Sequence, residues 1–201
     1  MTDTPDIYEQ WTHADLVDLI RRYPLAWIVP QATDAAAMLC PMLIECDADG
    51  KPSSLLGHLP KRHPLAGVFR PEGLATFLFL GPHGYVSPEH LSDKNWAPTW
   101  NYASAQFVCA VRLDDRLTDE ALETLVRHME KDRPAPWDIA ALGERYSALR
   151  SRVIGFRAQI IRTHAKFKLG QDETQTAFGE IAAGLEDADL VRWMKRFRDP
   201  D

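Results

Sequence analysis

The chain has 201 residues, 45% apolar and 26% charged, the balance of one ordinary globular domain rather than of a disordered or membrane-embedded chain. Its 23 basic and 29 acidic residues give a net charge of −6, so no overall cation excess exists to neutralise a phosphate backbone, which argues against direct DNA binding. The three cysteines, Cys40, Cys46 and Cys109, are odd in number and lack CxxC spacing, which argues against a disulfide framework or a zinc site.

The N-terminus, Met1 to Asp6, is acidic and lacks the basic and apolar regions of a secretory signal, and no apolar run reaches the roughly 18 residues of a membrane span. A cytoplasmic protein with no membrane association is the expectation. The first predicted element is a helix capped by Thr12, with Asp15 at the reciprocal capping position and Leu16, Leu19 and Ile20 on one face. Pro24 ends it, and Leu25 to Val29 begins the first strand. A second strand is predicted over roughly Ala35 to Glu45. Asp47 to Gly50 then reads as a turn, with a third strand over Ser53 to Leu59. The compact basic stretch Pro60 to Pro64 follows.

Leu74 to Leu80 reads as a buried strand broken by Gly81 and Pro82, and Thr99 to Leu113 as the longest strand, with one reliably apolar face. Thr118 is predicted to cap a helix whose buried stripe is Leu122, Leu125, Val126 and Met129, stopped by Pro134 and Pro136. A shorter helix is expected from about Asp138 to Arg150. Strand alternation returns over Val153 to Lys168, with Ile154, Phe156, Ala158 and Ile160 on one side. The tail, about residues 172–199, is predicted helical, opened by a capping box of Asp172 and Gln175 and divided at Gly184. Six strands with helices at start, middle and end make one α+β domain over residues 1–201, its sheet closed into a barrel.

Four segments carry a resemblance. They are Leu55 to Pro64, Gly81 to Pro88, Pro98 to Tyr102, and the pair Val153 to Phe156 and Lys166 to Gln171. In this order and with these spacers the chain resembles the PaiB-like family, FMN-binding negative transcriptional regulators. The resemblance covers roughly residues 10 to 185. It implies a six-stranded antiparallel split β-barrel with peripheral helices, a homodimer, and FMN in a cleft between the two chains. It also implies that the phosphate is held by the segment from His58 to His63. The family's second strand usually reads Ser-His-Leu-Pro, whereas this chain has Leu39, Cys40, Pro41 and Met42 there. Cys40 therefore stands where a histidine would line the flavin, and only main-chain contacts carry over.

The chemistry of the residues agrees. Lys61 and Arg62 offer charge-assisted donors to a flavin phosphate, His58 and His63 add donors, and Gly57 allows close backbone approach. A solvated basic turn is the plain alternative. Asn101 can bond the polar edge of a flavin ring while Trp100 and Tyr102 wall it from water, or the three can form an aromatic barrel rim. Tyr85 reads as a cofactor contact or a turn residue. Lys166 and Lys168 share one side of a strand, as an anion clamp or as protective edge lysines. His13, His90, His128 and His164 lack metal spacing.

Three functions follow. The first is a flavin-binding regulator acting indirectly, since no basic recognition helix is visible. The second is a flavin-dependent oxidoreductase, with His58, His63 and His83 as candidate bases. The third is a dimeric barrel that has lost flavin.

Overall fold

A computed structural model describes residues 6–31 and 33–198. Helix α1 (His13–Arg22) carries the predicted capping box, with the Thr12 hydroxyl accepting from Asp15 N–H and the Asp15 carboxylate accepting from Thr12 N–H. Seven strands follow: β1 (Leu25–Pro30), β2 (Met38–Pro41), β3 (Leu43–Cys46), β4 (Pro52–Pro60), β5 (Gly73–Val86), β6 (Thr99–Leu113) and β7 (Val153–Lys168). All pairings are antiparallel, in the order β2-β1-β5-β6-β7-β4-β3.

The count of seven corrects the expected six. The segment predicted as one strand over 35–45 breaks at Met42. The Met42 N–H donates to the Pro24 carbonyl at 2.8 Å in the register of the β1 pairs, and Pro24, lacking an N–H, cannot return the bond, so the ladder ends there. Leu43 then pairs with Leu56 of β4. The two ends of the strand order are thus joined through one residue, which closes the sheet into a barrel. The Cys40 thiol donates to the His58 carbonyl across this seam at 3.0 Å.

The interior is filled by Ile28, Met42, Leu55, Leu59, Phe77, Phe107, Phe156 and Phe167, all fully buried. A four-residue helix, α2 (Leu65–Val68), which the sequence reading did not anticipate, buries Leu65, Ala66 and the adjoining Phe69.

Gly81 and Pro82 do not break their strand. They form a bulge in which Leu80 pairs with Ser104 and His83 with Tyr102, so β5 runs on to Val86. A Cβ at Gly81 would lie 2.3 Å from Leu19, so glycine is what lets α1 lie on the sheet. A second bulge, between Val108 and Cys109 in the ladder with β7, switches the inward residues of β7 from Ile154, Phe156 and Ala158 to Ala165 and Phe167.

Helix α3 (Thr118–Glu130) starts directly from a 3-10 turn, and Thr118 does not cap it. Its hydroxyl instead accepts from Gly155 N–H at 3.0 Å, fixing the helix to β7. Only Thr118 and Ala121 are fully buried, and Met129, expected inside, is 52% exposed, because α3 docks by its first turns. The expected helix over 138–150 splits at Gly143, whose φ is +52°, into a 3-10 turn and α4 (Arg145–Arg150). Helices α5 (Gln175–Gly184) and α6 (Ala188–Arg198) divide at Gly184 as predicted, although Thr174 rather than Asp172 caps α5. Trp193 of α6 and the adjacent Phe197 stack on Phe167, and Arg196 binds Asp18 of α1 at 2.8 Å, so the tail seals one end of the barrel.

Candidate functional site

The basic corner lies at the end of β4. His58 points out of the barrel, opposite Gly155 of β7, which has no side chain. Burial holds its imidazole below the ordinary histidine value, and its Nδ1 is buried without a partner. That nitrogen is shut off from solvent, so any ligand contact falls to Nε2. Lys61 is not a free cation: its ammonium sits 3.0 Å from Asp115, which also binds Arg150 at 2.6 Å. Arg62 is exposed and has no carboxylate within ion-pair distance among the described residues. His63 Nδ1 accepts from Leu65 N–H at 3.3 Å and is half-buried. The free donors of the corner are Arg62, His58 and the far side of His63.

Gly57 does not offer backbone to a ligand. It faces the barrel interior, where a Cβ would lie 2.7 Å from the Met42 methyl and 2.9 Å from Phe156. Cys40 is likewise enclosed, its thiol pushed up to about 12 by burial and bonded to the His58 carbonyl. It bears on the site only by holding the strand that carries His58.

A second group forms on the outer face of β5 and β6. Tyr85 pairs with Trp100, their rings 5.8 Å apart, and His83 stacks on Trp100 at 6.5 Å with a 24° tilt. Trp100 is 53% and Tyr85 48% exposed, so the three rings make an open shelf. Asn101 lies on the opposite face of β6. It is buried, and its amide donates to the Met194 sulfur at 3.6 Å, so the predicted contact with a ring edge is replaced by a core contact. The strand's period of two explains this: Trp100 and Asn101 cannot both face one cleft.

Lys168 and Lys166 continue the outer face along β7, opposite Tyr102 and Ser104. Neither ammonium is unpaired. Lys168 bonds Thr99 and the Trp100 carbonyl, the latter at 3.0 Å, and Lys166 meets Asp6 at 2.8 Å above the Tyr8 ring. Lys166, His164, Gln106, Ser104, Leu78 and Glu9 surround a hollow of about 240 Å³ on this face.

The corner and the shelf do not meet within one chain. His58 pairs with Gly155 and Tyr102 with Lys168, thirteen residues apart on β7, about 40 Å of strand at roughly 3.3 Å per residue.

Sequence reading missed the apolar character of the face between them. Leu39 pairs with Trp27, and Trp27 with Leu78, a row that continues to Gln106 of β6. Leu25, Leu74 and Leu80 flank it, and all six large apolar side chains, these three with Leu39, Trp27 and Leu78, are 38–52% exposed. The signal was present in the run Leu74 to Leu80, apolar on both faces where a lone barrel needs only one.

A family model described as "Putative FMN-binding domain" matches residues 4–162. An uncharacterised protein of Aspergillus fumigatus is 28% identical over an alignment of 168 positions covering 64% of each chain. One of Emericella nidulans is 27% identical over 174 positions covering 69% of each. The match thus spans less than two thirds of the first relative's length. Among solved structures, the FAD and haem binding protein from Mycobacterium smegmatis has a TM-score of 0.57 at 17% identity, covering 88% of this chain and 80% of its own. A conserved hypothetical protein from Mycobacterium tuberculosis has a TM-score of 0.54 at 11% identity, covering 82% and 90%. At these identities the likeness shows a shared fold.

Proposed function

This chain belongs to the family of FMN-binding domains, and from that premise we propose that it binds FMN at the seam of a homodimer. The observation that carries the reading is the uncovered outer face of β2, β1 and β5, whose six large apolar side chains adjoin the aromatic shelf. Monomers rarely leave so contiguous an apolar face in water, and a second copy is the partner that covers it symmetrically. Arg62, His63 and the Nε2 of His58 suit a phosphate, and Trp100, Tyr85 and His83 suit a flat ring system. One FMN reaches both groups when the corner belongs to one protomer and the shelf to the other. When bound, FMN supplies one- or two-electron transfer. The chain's residues hold the phosphate, stack the ring and exclude water. Light scattering should give two chains, about 46 kDa from a 22.8 kDa protomer. Flavin fluorescence should change saturably on titration. A one-chain mass, or no saturation, refutes the reading, the latter in favour of a barrel without flavin.

The finer assignment is a PaiB-type negative regulator that acts through a partner protein, in keeping with the net charge of −6. A gel shift that survives competitor DNA at stated salt would contradict the indirect route.

His83 favours a second reading, a flavin-dependent oxidoreductase. Its Nδ1 lies 3.0 Å from the Gly81 carbonyl, leaving Nε2 open beside the shelf for proton exchange with a small substrate. Oxidation of a reduced nicotinamide by the flavin-loaded protein, lost in His83→Ala, would support it. Turnover unchanged by the substitution would count against it.

A further inference from the structure

Three arginines surround one open hollow where β5 begins and β6 ends. Arg70 and Pro71 come from the loop after α2, Arg112 and Leu113 from the last residues of β6, Asp114 and Arg116 from the following turn, and Ile154 from β7. The hollow is about 790 Å³, with Pro71, Leu113 and Ile154 as its apolar floor. It is remote from the aromatic shelf, since Arg112 and Trp100 lie at opposite ends of β6, and it borders the basic corner, since Ile154 pairs with Leu59 and Asp115, between Asp114 and Arg116, binds Lys61.

The charges do not cancel locally. Arg70 has no carboxylate within ion-pair distance among the described residues. Among the described residues Arg112 reaches only Glu72, at 3.6 Å, with 74% and 51% of the two side chains exposed, a pair worth little in water. Arg116 forks onto Asp114 at 2.7 and 3.1 Å and is 90% exposed. Those bonds, from the Arg116 side chain first and its N–H second, hold the Asp114 carboxyl down at about 2, so it stays ionised at neutral pH. Three guanidiniums therefore face two carboxylates, and a surplus cation remains at one hollow of a chain with net charge −6. Guanidinium forks match paired oxygens of an oxyanion: Arg70 is available to bind one, the loose Arg112–Glu72 pair can be exchanged for a stronger one, and Arg116 keeps Nη1 outside its fork with Asp114.

We propose that this hollow binds a ligand carrying at least two negative charges on oxygen, through Arg70, Arg112 and Arg116, three side chains that the flavin reading does not use. The apolar floor accommodates a carbon body attached to the anionic group. Only the cofactor's position rests on the reading above. The anion site stands on its own residues.

The test is isothermal titration of the purified full chain with pyrophosphate, with and without FMN. Saturable binding is expected, weakened by salt and about tenfold or more in Arg70→Ala/Arg116→Ala. Arg133→Ala, a distant exposed arginine paired with Glu130, should leave it unchanged. All three side chains are exposed, so circular dichroism should show folded variants. No saturable binding, equal loss in Arg133→Ala, or an unaffected double variant overturns the site. Competition between FMN and pyrophosphate would also overturn it, by assigning the hollow to the flavin. Failure of FMN to bind while pyrophosphate still does would refute the flavin reading alone.

Discussion

Replacing Trp27 by Glu attacks the proposed dimer seam at the centre of its apolar row. Trp27 is 51% exposed in the single chain, between Leu39 and Leu78. A tryptophan side chain buries about 150–250 Å² in all, so roughly 100 Å² remains for a partner to cover. At about 25 cal/mol per Å² this contributes about 2.5 kcal/mol per protomer, and twofold symmetry counts it twice, to about 5 kcal/mol. A carboxylate placed in the covered seam acts in the same direction through desolvation. At about 1.4 kcal/mol per decade, the dimer dissociation constant should rise by roughly three to four orders of magnitude. The neighbours Ala26 and Ile28 face the interior and are fully buried, so the fold should survive. Sedimentation over a concentration series measures the constant, with circular dichroism as the control for folding. A folded Trp27→Glu protein whose constant stays within about threefold of the parent's would refute the reasoning.

Gly155→Ala should cost about 1–3 kcal/mol in urea unfolding, because its Cβ would lie 2.6 Å from the Leu117 carbonyl carbon and the Thr118 nitrogen, backbone that cannot yield. A cost below about 0.5 kcal/mol would contradict that packing. Burial opposes ionisation of Glu45, but bonds from Arg157 at 2.7 and 2.8 Å and from Ser54 at 2.5 Å outweigh it and hold the carboxyl below its ordinary value. A depressed folded-state value stabilises above the unfolded value, near 4.3, and that stability is lost as pH falls through the folded one. Urea unfolding between about pH 5 and 3 should therefore show a shallower fall for Glu45→Gln than for the parent, and equal slopes would contradict the assignment. Burial pushes the Cys40 and Cys109 thiols up to about 12 while Cys46 is exposed. A thiol reagent at pH 8 should label one cysteine rapidly, and Cys46→Ser should abolish that phase. Rapid labelling that persists in Cys46→Ser would place Cys40 or Cys109 at the surface.

Much of the fold was legible because its signals are local. The capping box at Thr12, the strict alternation of β6 and the glycine at 184 each act within a few residues, and the structure shows all three. The break at Met42 was not legible, because it depends on β2 and β3 finding partners on opposite sides of the barrel. Thr118 misled for the same reason: a hydroxyl that can cap a helix is taken by Gly155, a residue 37 positions away. Within the candidate site, composition drew attention to the corner and the shelf. It could not show that Lys61 is already bound by Asp115, or that the sheet's alternation turns Asn101 and Gly57 into the core. The exposed apolar face escaped notice because an apolar strand reads the same whether its outer side is covered by its own chain or left open.

The central claim is that one flavin site takes its cationic corner from one protomer and its aromatic shelf from the other. Mixing two defective variants tests it most directly. Arg62→Ala/His63→Ala should lose FMN affinity by removing the corner, and Trp100→Ala by removing the shelf. Unfolded together and refolded as a mixture, they should regain tight FMN binding at about a quarter of the sites. Half of the random dimers would be mixed, each with one intact site and one doubly broken. A mixture that binds no better than either variant alone would contradict the shared site.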